Sequence, residues 1–248
     1  NQKVNSLEYD SAKNLWKIET SKGNKVKEYH AQDVIYSPPP QGLLKLLKDK
    51  KDYYLKYHER LKKLPEPSGA LVFYAALKKE KMININSNHY QFVNKELGSL
   101  FISLSDEGDG RAPMGEITLI ASIFTNTQEW FDLSKDQYIF KKDQHLDKIS
   151  KAIEEKFYIS RDDWLHRELS TPRAFERWTN RPRGIVGGIG QNPEVFGLFG
   201  LSSRTPFKGL WLCGDSIYPG EGTAGVSQSA LIVSRQIIAS KGMQNFNL

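Results

Sequence analysis

The sequence predicts a protein of mixed α and β structure, in the α+β or α/β class, and three features of the 248-residue chain indicate it. Short β segments occupy residues 3–36. An apolar run at residues 69–77 is rich in aromatic and β-branched residues, as expected of a buried strand. Residues 210–240 read as a strand, a glycine-rich turn and a helix. With 39% hydrophobic residues, the chain can form one or two cores.

Turn and helix signals divide the chain further. The clearest N-terminal strands are residues 16–20 and 33–36, and prolines 38–40 end that β unit because proline cannot donate a ladder hydrogen bond. Asp143 is the predicted N-cap of a helix that ends near Phe157, since the apolar residues between them recur at helical spacing. Further strands are predicted at residues 90–93, 100–104 and 116–124.

A basic amphipathic helix is predicted for residues 43–64. The segment carries eight Lys or Arg residues against three acids, a net +5 that accounts for most of the chain's +6. Its apolar residues fall mainly on one side at helical spacing. The helix either packs on its own domain with a solvated charged face or lies on an anionic membrane surface. The candidate membrane-contacting residues are Lys45, Lys48, Lys51, Lys56 and Arg60.

Several classes of function are disfavoured by what the sequence lacks. The pI is near 9.1, as in many nucleic-acid-binding proteins, but the sequence contains no zinc-finger, RNP or homeodomain pattern. No nucleic-acid partner is therefore expected. The five histidines lack metal-ligand spacing, so no metal site is predicted. Cys213 sits in an apolar run and no GxSxG motif occurs, which disfavours nucleophilic catalysis. No run is long and apolar enough for a transmembrane helix, and no signal peptide is visible.

The C-terminal strand, turn and helix are typical of a site for a polar cofactor. Leu210–Cys213 form a short buried strand that ends at Gly214 and Asp215. Three glycines between Gly220 and Gly225 allow backbone amides to approach a ligand, and the helix predicted from about Ala224 favours negative charge at its start. Alternatively, the glycines serve only the packing of an ordinary strand–turn–helix.

Residues 209–230, GLWLCGDSIYPGEGTAGVSQSA, resemble the C-terminal flavin-binding motif of the phytoene-desaturase-like flavoproteins, which include carotenoid desaturases and isomerases. The resemblance implies FAD as cofactor, with Asp215 bonded to its ribityl-pyrophosphate part and Gly222–Val226 facing the flavin pyrimidine edge. That helix start would stabilise negative charge near flavin N1. The implied cofactor-binding residues are Gly214, Asp215, Gly220, Gly222, Thr223, Ala224, Gly225 and Val226.

Two further stretches, ELSTPRAFERWTNRPRGIVGGIGQN at 168–192 and DGRAPMGEITLIASIF at 109–124, resemble the cyanobacterial-type carotenoid 3',4'-desaturases. The resemblance implies a carotenoid end group as substrate, hydride transfer to flavin N5, and a quinone or oxygen as electron acceptor. Glu221 is the candidate proton acceptor, or a carboxylate merely bonded within the turn. Arg173 and Trp178 are candidate substrate contacts. The arginines around Trp178 either hold the flavin or an end-group hydroxyl or form structural ion pairs; they are Arg173, Arg177, Arg181 and Arg183.

The resemblance also implies a domain plan. It predicts an FAD-binding two-domain flavoprotein of the glutathione-reductase-like or amine-oxidase-like type, without the N-terminal Rossmann GxGxxG segment, since residues 1–20 contain no glycine. We therefore expect a C-terminal piece of a longer protein, inactive by itself. Residues 1–42 and 201–248 are assigned to the FAD-binding domain, and residues 43–200 to the substrate-binding domain.

Three functions remain open at this point. The first is desaturation at the cytoplasmic face of a membrane, because a carotenoid must be taken from lipid. The second is a redox-neutral cis-trans isomerisation at the same flavin site. An unrelated amine-oxidase-like flavoenzyme is a weaker option, because that superfamily shares the fold and the general position of the C-terminal motif. The third is a non-catalytic membrane- or partner-binding module.

Overall fold

The computed structural model describes residues 2–48, 54–82, 85–106, 108–190 and 192–242. The strands, numbered along the chain, are β1 Lys3–Asp10, β2 Leu15–Lys22, β3 Lys25–Ala31, β4 Val34–Tyr36, β5 Gly69–Lys78, β6 His89–Asn94, β7 Gly98–Leu104, β8 Glu116–Thr125, β9 Trp164–Ser170 and β10 Leu210–Leu212. The α-helices are α1 Leu43–Leu46, α2 Leu55–Lys62, α3 Lys135–Phe157, α4 Pro172–Thr179 and α5 Gly222–Ser240.

The chain divides into two compact units. Unit 1 combines Asn1–Pro67 with Gly187–Leu248, and unit 2 is Ser68–Val186. Residues 43–67 and 187–200, which the sequence assigned to the middle domain, thus group with the two ends of the chain. The assignment of one domain to FAD and the other to substrate stays a prediction.

Unit 1 contains a β-meander and a parallel strand pair. Strands β1, β2 and β3 form a three-stranded antiparallel sheet, as the sequence predicted. Strands β4 and β10, far apart in sequence, pair in parallel with Leu210 opposite Val34. Trp16 is almost completely buried in the core of this unit, and its indole N–H donates to the Lys208 carbonyl at 2.9 Å.

The single helix predicted for residues 43–64 is wrong. Helix α1 ends at Leu46, because Leu47 adopts extended backbone angles and forms an isolated β-bridge with Leu7. The amide of Lys48 donates to the Leu7 carbonyl at 3.0 Å. Leu47 itself is buried, so burial of one leucine beside β1 outweighs the helical periodicity of the segment. A second helix, α2, begins at Leu55.

Unit 2 is built on a five-stranded antiparallel sheet with the strand order β6-β7-β8-β5-β9. One face of the sheet forms a hydrophobic core, in which Phe73, Ile102 and Leu119 are completely buried. Helix α3 contributes Ile149 and Ile153 to the same hydrophobic core. The alternation along each strand explains this arrangement, because every second side chain points to the same face.

Helix α3 begins eight residues before the predicted N-cap Asp143, which lies inside the helix. Ser134 is the N-cap: its hydroxyl accepts from the Gln137 amide at 3.3 Å, and the Gln137 side chain accepts from the Ser134 amide at 2.9 Å. This reciprocal capping box satisfies two amides that otherwise lack partners. The helix ends at Phe157, as predicted.

Asp33 connects β4 to β10 and to the residue after α5. Its carboxylate accepts from Trp211 Nε1 at 2.9 Å and pairs with Lys241 Nζ at 2.8 Å. Burial raises the pKa of Asp33, but the hydrogen bonds from Lys241 and Trp211 outweigh burial and hold the pKa below its ordinary value of 3.8.

Replacing Asp33 with asparagine is expected to lower the free energy of unfolding by about 1–2 kcal/mol at neutral pH, because the ion pair is lost while a weaker acceptor for Trp211 remains. Folding lowers the pKa of Asp33. The wild type therefore has its full stability advantage over the variant above the unfolded-state carboxyl pKa of about 4. The advantage disappears as the pH falls through the lower folded-state pKa. Urea unfolding of both proteins at neutral and acid pH measures this difference; an unchanged difference in acid would contradict it.

Candidate functional site

The candidate site in unit 1 begins where strand β10 ends. After Leu212, the chain turns through Gly214 and Asp215 and enters helix α5 at Gly222, two residues earlier than predicted. The Gly214 amide donates to Ser229 Oγ on α5 at 3.1 Å, and Ser229 is almost completely buried. Ser229 therefore connects the end of the strand to the helix. No sequence pattern indicates this role, because serine is common on helix surfaces.

Helix α5 starts in close backbone contact with the turn that precedes it. A Cβ atom on Gly225 would overlap the carbonyl oxygen of Gly220, so only glycine permits this approach. Gly220 in turn lies against the ring of Phe196, where an added Cβ would stand 2.8 Å from Cε2. The glycine spacing of the motif thus serves the path of the backbone, whatever ligand it holds.

The first residues of α5 form an open cradle. Gly222, Thr223 and Ala224 are exposed, and Gly222 has a φ of +83° with no atom within 4 Å of the position of a Cβ. The N-cap Glu221 makes no side-chain hydrogen bond to the helix start. The first amides of α5 are therefore open to a ligand that carries negative charge or acceptor atoms.

Asp215 is half-buried at the start of the turn. Ser216 Oγ donates to Asp215 Oδ1 at 3.3 Å, and the Ser216 side chain is buried. Cys213 lies one residue before Gly214 and receives a weak hydrogen bond from Ser229 Oγ at 3.8 Å. Of the predicted cofactor residues, Gly214, Asp215, Gly220, Gly222, Thr223, Ala224, Gly225 and Val226 thus all belong to one continuous turn and helix start.

A second glycine loop, which the sequence analysis did not assign to the site, packs against this turn. Gly188 has a φ of +75°, and a Cβ there would stand 2.5 Å from the Asp215 carbonyl oxygen. A Cβ on Gly187 would overlap the carboxylate of Glu221. The loop and the turn leave only a cavity of about 10 Å³ between them, enough for about one water molecule. The run of glycines from Gly184 to Gly190 was the available signal, although its spacing does not match a dinucleotide motif.

Arg173, a predicted substrate contact, is bound to backbone carbonyls within unit 2. Its Nε donates to the Trp130 carbonyl at 2.6 Å, and its Nη2 donates to the Leu133 carbonyl at 2.8 Å and the Phe131 carbonyl at 3.3 Å. Its guanidinium also lies 4.3 Å from the centre of the Tyr138 ring. These contacts support a structural role, and a contact with substrate stays a prediction.

Trp178 lies at the end of α4 and is 78% exposed. The guanidinium of Arg177 lies 5.4 Å from the centre of its ring. Arg183 donates to the side chains of Glu176 and Gln128, so part of this arginine cluster forms contacts within unit 2. Trp178 remains available to a ligand or a surface.

Four of the five predicted membrane-contacting residues lie in the described part of the chain. Lys45 on α1 and Lys56 and Arg60 on α2 are exposed. Lys48 is also exposed and lies 3.8 Å from the Glu19 carboxylate. Lys51 lies outside the described residues. None of the helices seen in the described ranges has both the length and the apolar character that crossing a bilayer requires.

Metal ligands do not cluster in the ranges that the structure covers: no group of three or more His, Cys, Asp or Glu side chains could hold a metal ion there. The chemistry of the turn is instead that of backbone amides and one carboxylate. Such a donor set fits a large polar organic ligand better than a metal.

The chain is similar to several plant proteins over part of its length. No protein-family model matches it. It is 28% identical over 150 residues to the chloroplastic prolycopene isomerase of Daucus carota, across 59% of this chain and 24% of that protein. It is 30% identical over 152 residues to chloroplastic prolycopene isomerase 1 of an Oncidium hybrid cultivar, across 59% and 25% of the two chains. The matched segment thus spans about a quarter of these curated relatives.

Two solved structures share the fold of the whole chain. An oxidoreductase from Methanosarcina mazei superimposes with a TM-score of 0.58 and 16% identity, over 94% of this chain and 49% of that one. Cyclohexylamine oxidase from Brevibacterium oxydans superimposes with a TM-score of 0.59 and 13% identity, over 94% and 48%. The predicted amine-oxidase-like fold class is therefore confirmed, and this chain corresponds to about half of each structure.

Proposed function

We propose that this chain forms the flavin-facing turn and the substrate-facing sheet of an FAD-dependent enzyme that modifies carotenoids, with desaturation of an end group as its reaction. The observation that carries the proposal is the exposed start of α5, where Gly222, Thr223 and Ala224 leave the first helix amides accessible to a ligand. The similarity to prolycopene isomerases supports a carotenoid substrate, since prolycopene is a carotenoid.

The residues of the turn fit FAD. When bound, FAD supplies the acceptor for a hydride and the two-electron chemistry. The amides of Gly222, Thr223 and Ala224 would stabilise negative charge that develops on the bound ring, because they lie at the positive end of a 19-residue helix. Asp215 would accept hydrogen bonds from hydroxyl groups of the cofactor, as the motif resemblance implies.

An apolar surface for the substrate is available on the open face of the sheet in unit 2. Tyr74 on β5 and Ile120 on β8 lie opposite each other and are 38% and 39% exposed. Phe101 on β7 and Phe124 on β8 continue the same face and are 47% and 69% exposed. Exposed apolar side chains that lie together on one face can mark a site of interaction with another molecule. We assign it to the carotenoid.

Glu221 is our candidate for the proton acceptor of the desaturation. It is exposed at the N-cap of α5, with its carboxylate against Gly187. In the proposed reaction a hydride leaves one carbon of the end group, and Glu221 accepts the proton lost from the adjacent carbon. The polyene delocalises the positive charge that develops, so a strong base is unnecessary. The electrons then pass to a quinone or to oxygen.

A redox-neutral cis-trans isomerisation is the second candidate, and the names of the relatives favour it. The narrower resemblance to carotenoid 3',4'-desaturases rests on the motifs at residues 109–124 and 168–192 alone. The two reactions share the flavin site and differ in their products, because only desaturation removes two hydrogens.

The experiment is to purify the complete gene product, identify any bound flavin, and incubate the protein with hydroxylated γ-carotene derivatives or with cis-carotenes in liposomes. We expect bound FAD and a product that has lost two hydrogens by mass spectrometry. An isobaric product of changed geometry would assign isomerisation instead. Absence of flavin would refute both reactions and leave the non-catalytic module.

Peripheral binding to an anionic membrane through α1 and α2 is a further part of the proposal. Replacing Lys45, Lys56 and Arg60 with glutamine is expected to weaken binding to anionic vesicles roughly a hundredfold, since each basic residue near the lipid contributes about fivefold. Vesicle flotation measures the change. The matched control replaces Lys22, Lys25 and Lys27, which are exposed in the β-meander. An equal loss in both variants would refute a role specific to these helices.

A further inference from the structure

A second, larger cavity lies in unit 1 at the other end of strand β10. It has a volume of about 650 Å³, and its lining includes Gly209, which immediately precedes β10. The lining contains no residue of the turn at 214–226, so the cavity is distinct from that turn. Its volume lies within the range of small-molecule sites, roughly 300–1,000 Å³.

One wall of the cavity is a loop, residues 204–209, that hydrogen bonds hold in place. Thr205 Oγ1 donates to the Leu210 carbonyl at 2.7 Å, and the Trp16 indole donates to the Lys208 carbonyl at 2.9 Å. The backbone of Arg204 forms an isolated antiparallel bridge with Trp211. Arg204 and Lys208 therefore project from a fixed backbone, which lowers the entropic cost of binding a ligand.

The charge of the lining is positive. The lining contains three basic side chains and one carboxylate, so its net charge is +2: Arg204, Lys208 and Lys241 against Asp33. The Asp33 carboxylate already pairs with Lys241 Nζ at 2.8 Å and accepts a hydrogen bond from the Trp211 indole at 2.9 Å. In the parts of the chain that the structure covers, neither Arg204 nor Lys208 has a carboxylate within ion-pair distance. Two cations are thus left without an anionic partner.

Aromatic side chains form another part of the lining. Tyr9, Phe207 and Trp211 all contribute, and Phe207 and Trp211 are fixed in the core at 5% and 9% exposure. The Phe207 ring packs edge-on against Trp16 with their centres 6.3 Å apart. Tyr9 is only half-buried, so its ring, beside the fixed edges of Phe207 and Trp211, is the part of this wall most accessible to a flat ligand.

We propose that this cavity binds a small aromatic phosphate ester, with the phosphate held by Arg204 and Lys208 and the ring against Tyr9, Phe207 and Trp211. A phosphate monoester carries roughly −1.5 to −2 charges at neutral pH, which matches the two free cations. The planar guanidinium of Arg204 suits two phosphate oxygens at once. The site is independent of the proposed flavin chemistry, because it shares no residue with the turn at 214–226.

The test is calorimetric titration of the complete gene product with phenyl phosphate, inorganic phosphate and phenol. We expect phenyl phosphate to bind more tightly than either of its parts. Replacing both Arg204 and Lys208 with glutamine should weaken the binding of phenyl phosphate roughly tenfold or more, because two charge-assisted contacts are lost. Arg204→Lys should lower the affinity for phenyl phosphate less, since lysine keeps the positive charge but lacks the paired donors of the guanidinium.

The matched control replaces Lys25 and Lys27, two exposed lysines of β3, with glutamine and should leave the affinity unchanged. Circular dichroism verifies the fold of each variant, and Lys208→Gln alone serves if the double variant does not fold. Failure to bind phenyl phosphate, or an equal loss in the β3 control, would overturn the proposal. Flavin content is measured in parallel, so a failure here is distinguishable from a failure of the flavin proposal.

Discussion

Replacing Gly188 with alanine is expected to lower the free energy of unfolding by about 3 kcal/mol or more, the sum of backbone strain and overpacking. The residue has a φ of +75°, which alanine rarely adopts. The added Cβ would also stand 2.5 Å from the Asp215 carbonyl oxygen and 2.9 Å from the Ser216 amide nitrogen. These are backbone atoms, so neither can move without displacing the turn that carries Asp215.

Gly222→Ala is the matched control for this variant. Its φ of +83° is similar, but no atom lies within 4 Å of the added Cβ. We therefore expect it to cost only the backbone strain, about 1 kcal/mol. Urea unfolding of the two variants separates strain from crowding. An equal loss of stability in the two variants would mean that the glycine loop at 187–190 is not in tight contact with the turn.

Replacing Arg173 with alanine is expected to lower the free energy of unfolding by about 3 kcal/mol, because hydrogen bonds to a charged donor are worth about 1.5–3 kcal/mol each but are not additive. The change removes the donor from the carbonyls of Trp130, Phe131 and Leu133. It also removes the cation that lies over the Tyr138 ring. Trp130 is completely buried, so its carbonyl has little access to water as a substitute partner.

Trp178→Ala tests the other predicted substrate contact in the same stretch. Because Trp178 is 78% exposed, this change should alter stability by less than about 0.5 kcal/mol. Thermal unfolding of the two variants, together with carotenoid turnover, distinguishes the roles. An Arg173→Ala protein of unchanged stability that turns over substrate more slowly would contradict the structural role and favour contact with substrate.

The sequence predicted the local elements that carry their own signals. The strand, turn and helix from Leu210 to Ser240 follow from an apolar run, a glycine cluster and helical spacing, all of which lie within thirty-one consecutive residues. Four of the five strands of unit 2 were predicted from their apolar and alternating residues, and β9 was missed. These features depend on neighbours close in the chain.

The features that the sequence did not predict depend on contacts between distant residues. Leu47 leaves the helical pattern because it pairs with Leu7, forty residues earlier. Gly187 and Gly188 join the site only because the fold brings them against Glu221 and Asp215. Arg173 reaches the carbonyls of residues 130–133, about forty positions away. No local pattern records such pairings. Ser134 was missed because the prediction placed the N-cap at Asp143, inside the actual helix.

The flavin content of the complete gene product, measured in the wild type and in two glutamate variants, shows whether the start of α5 holds FAD. Thr223→Glu places a negative charge in the open start of α5, where it should preserve or slightly raise stability by interaction with the helix dipole but repel a bound flavin. Ser227→Glu, exposed about one turn further along α5, is the matched control. We predict bound FAD in the wild type and in Ser227→Glu, and its loss in a folded Thr223→Glu protein. A wild-type protein without flavin, or a Thr223→Glu protein that retains it fully, would contradict the account.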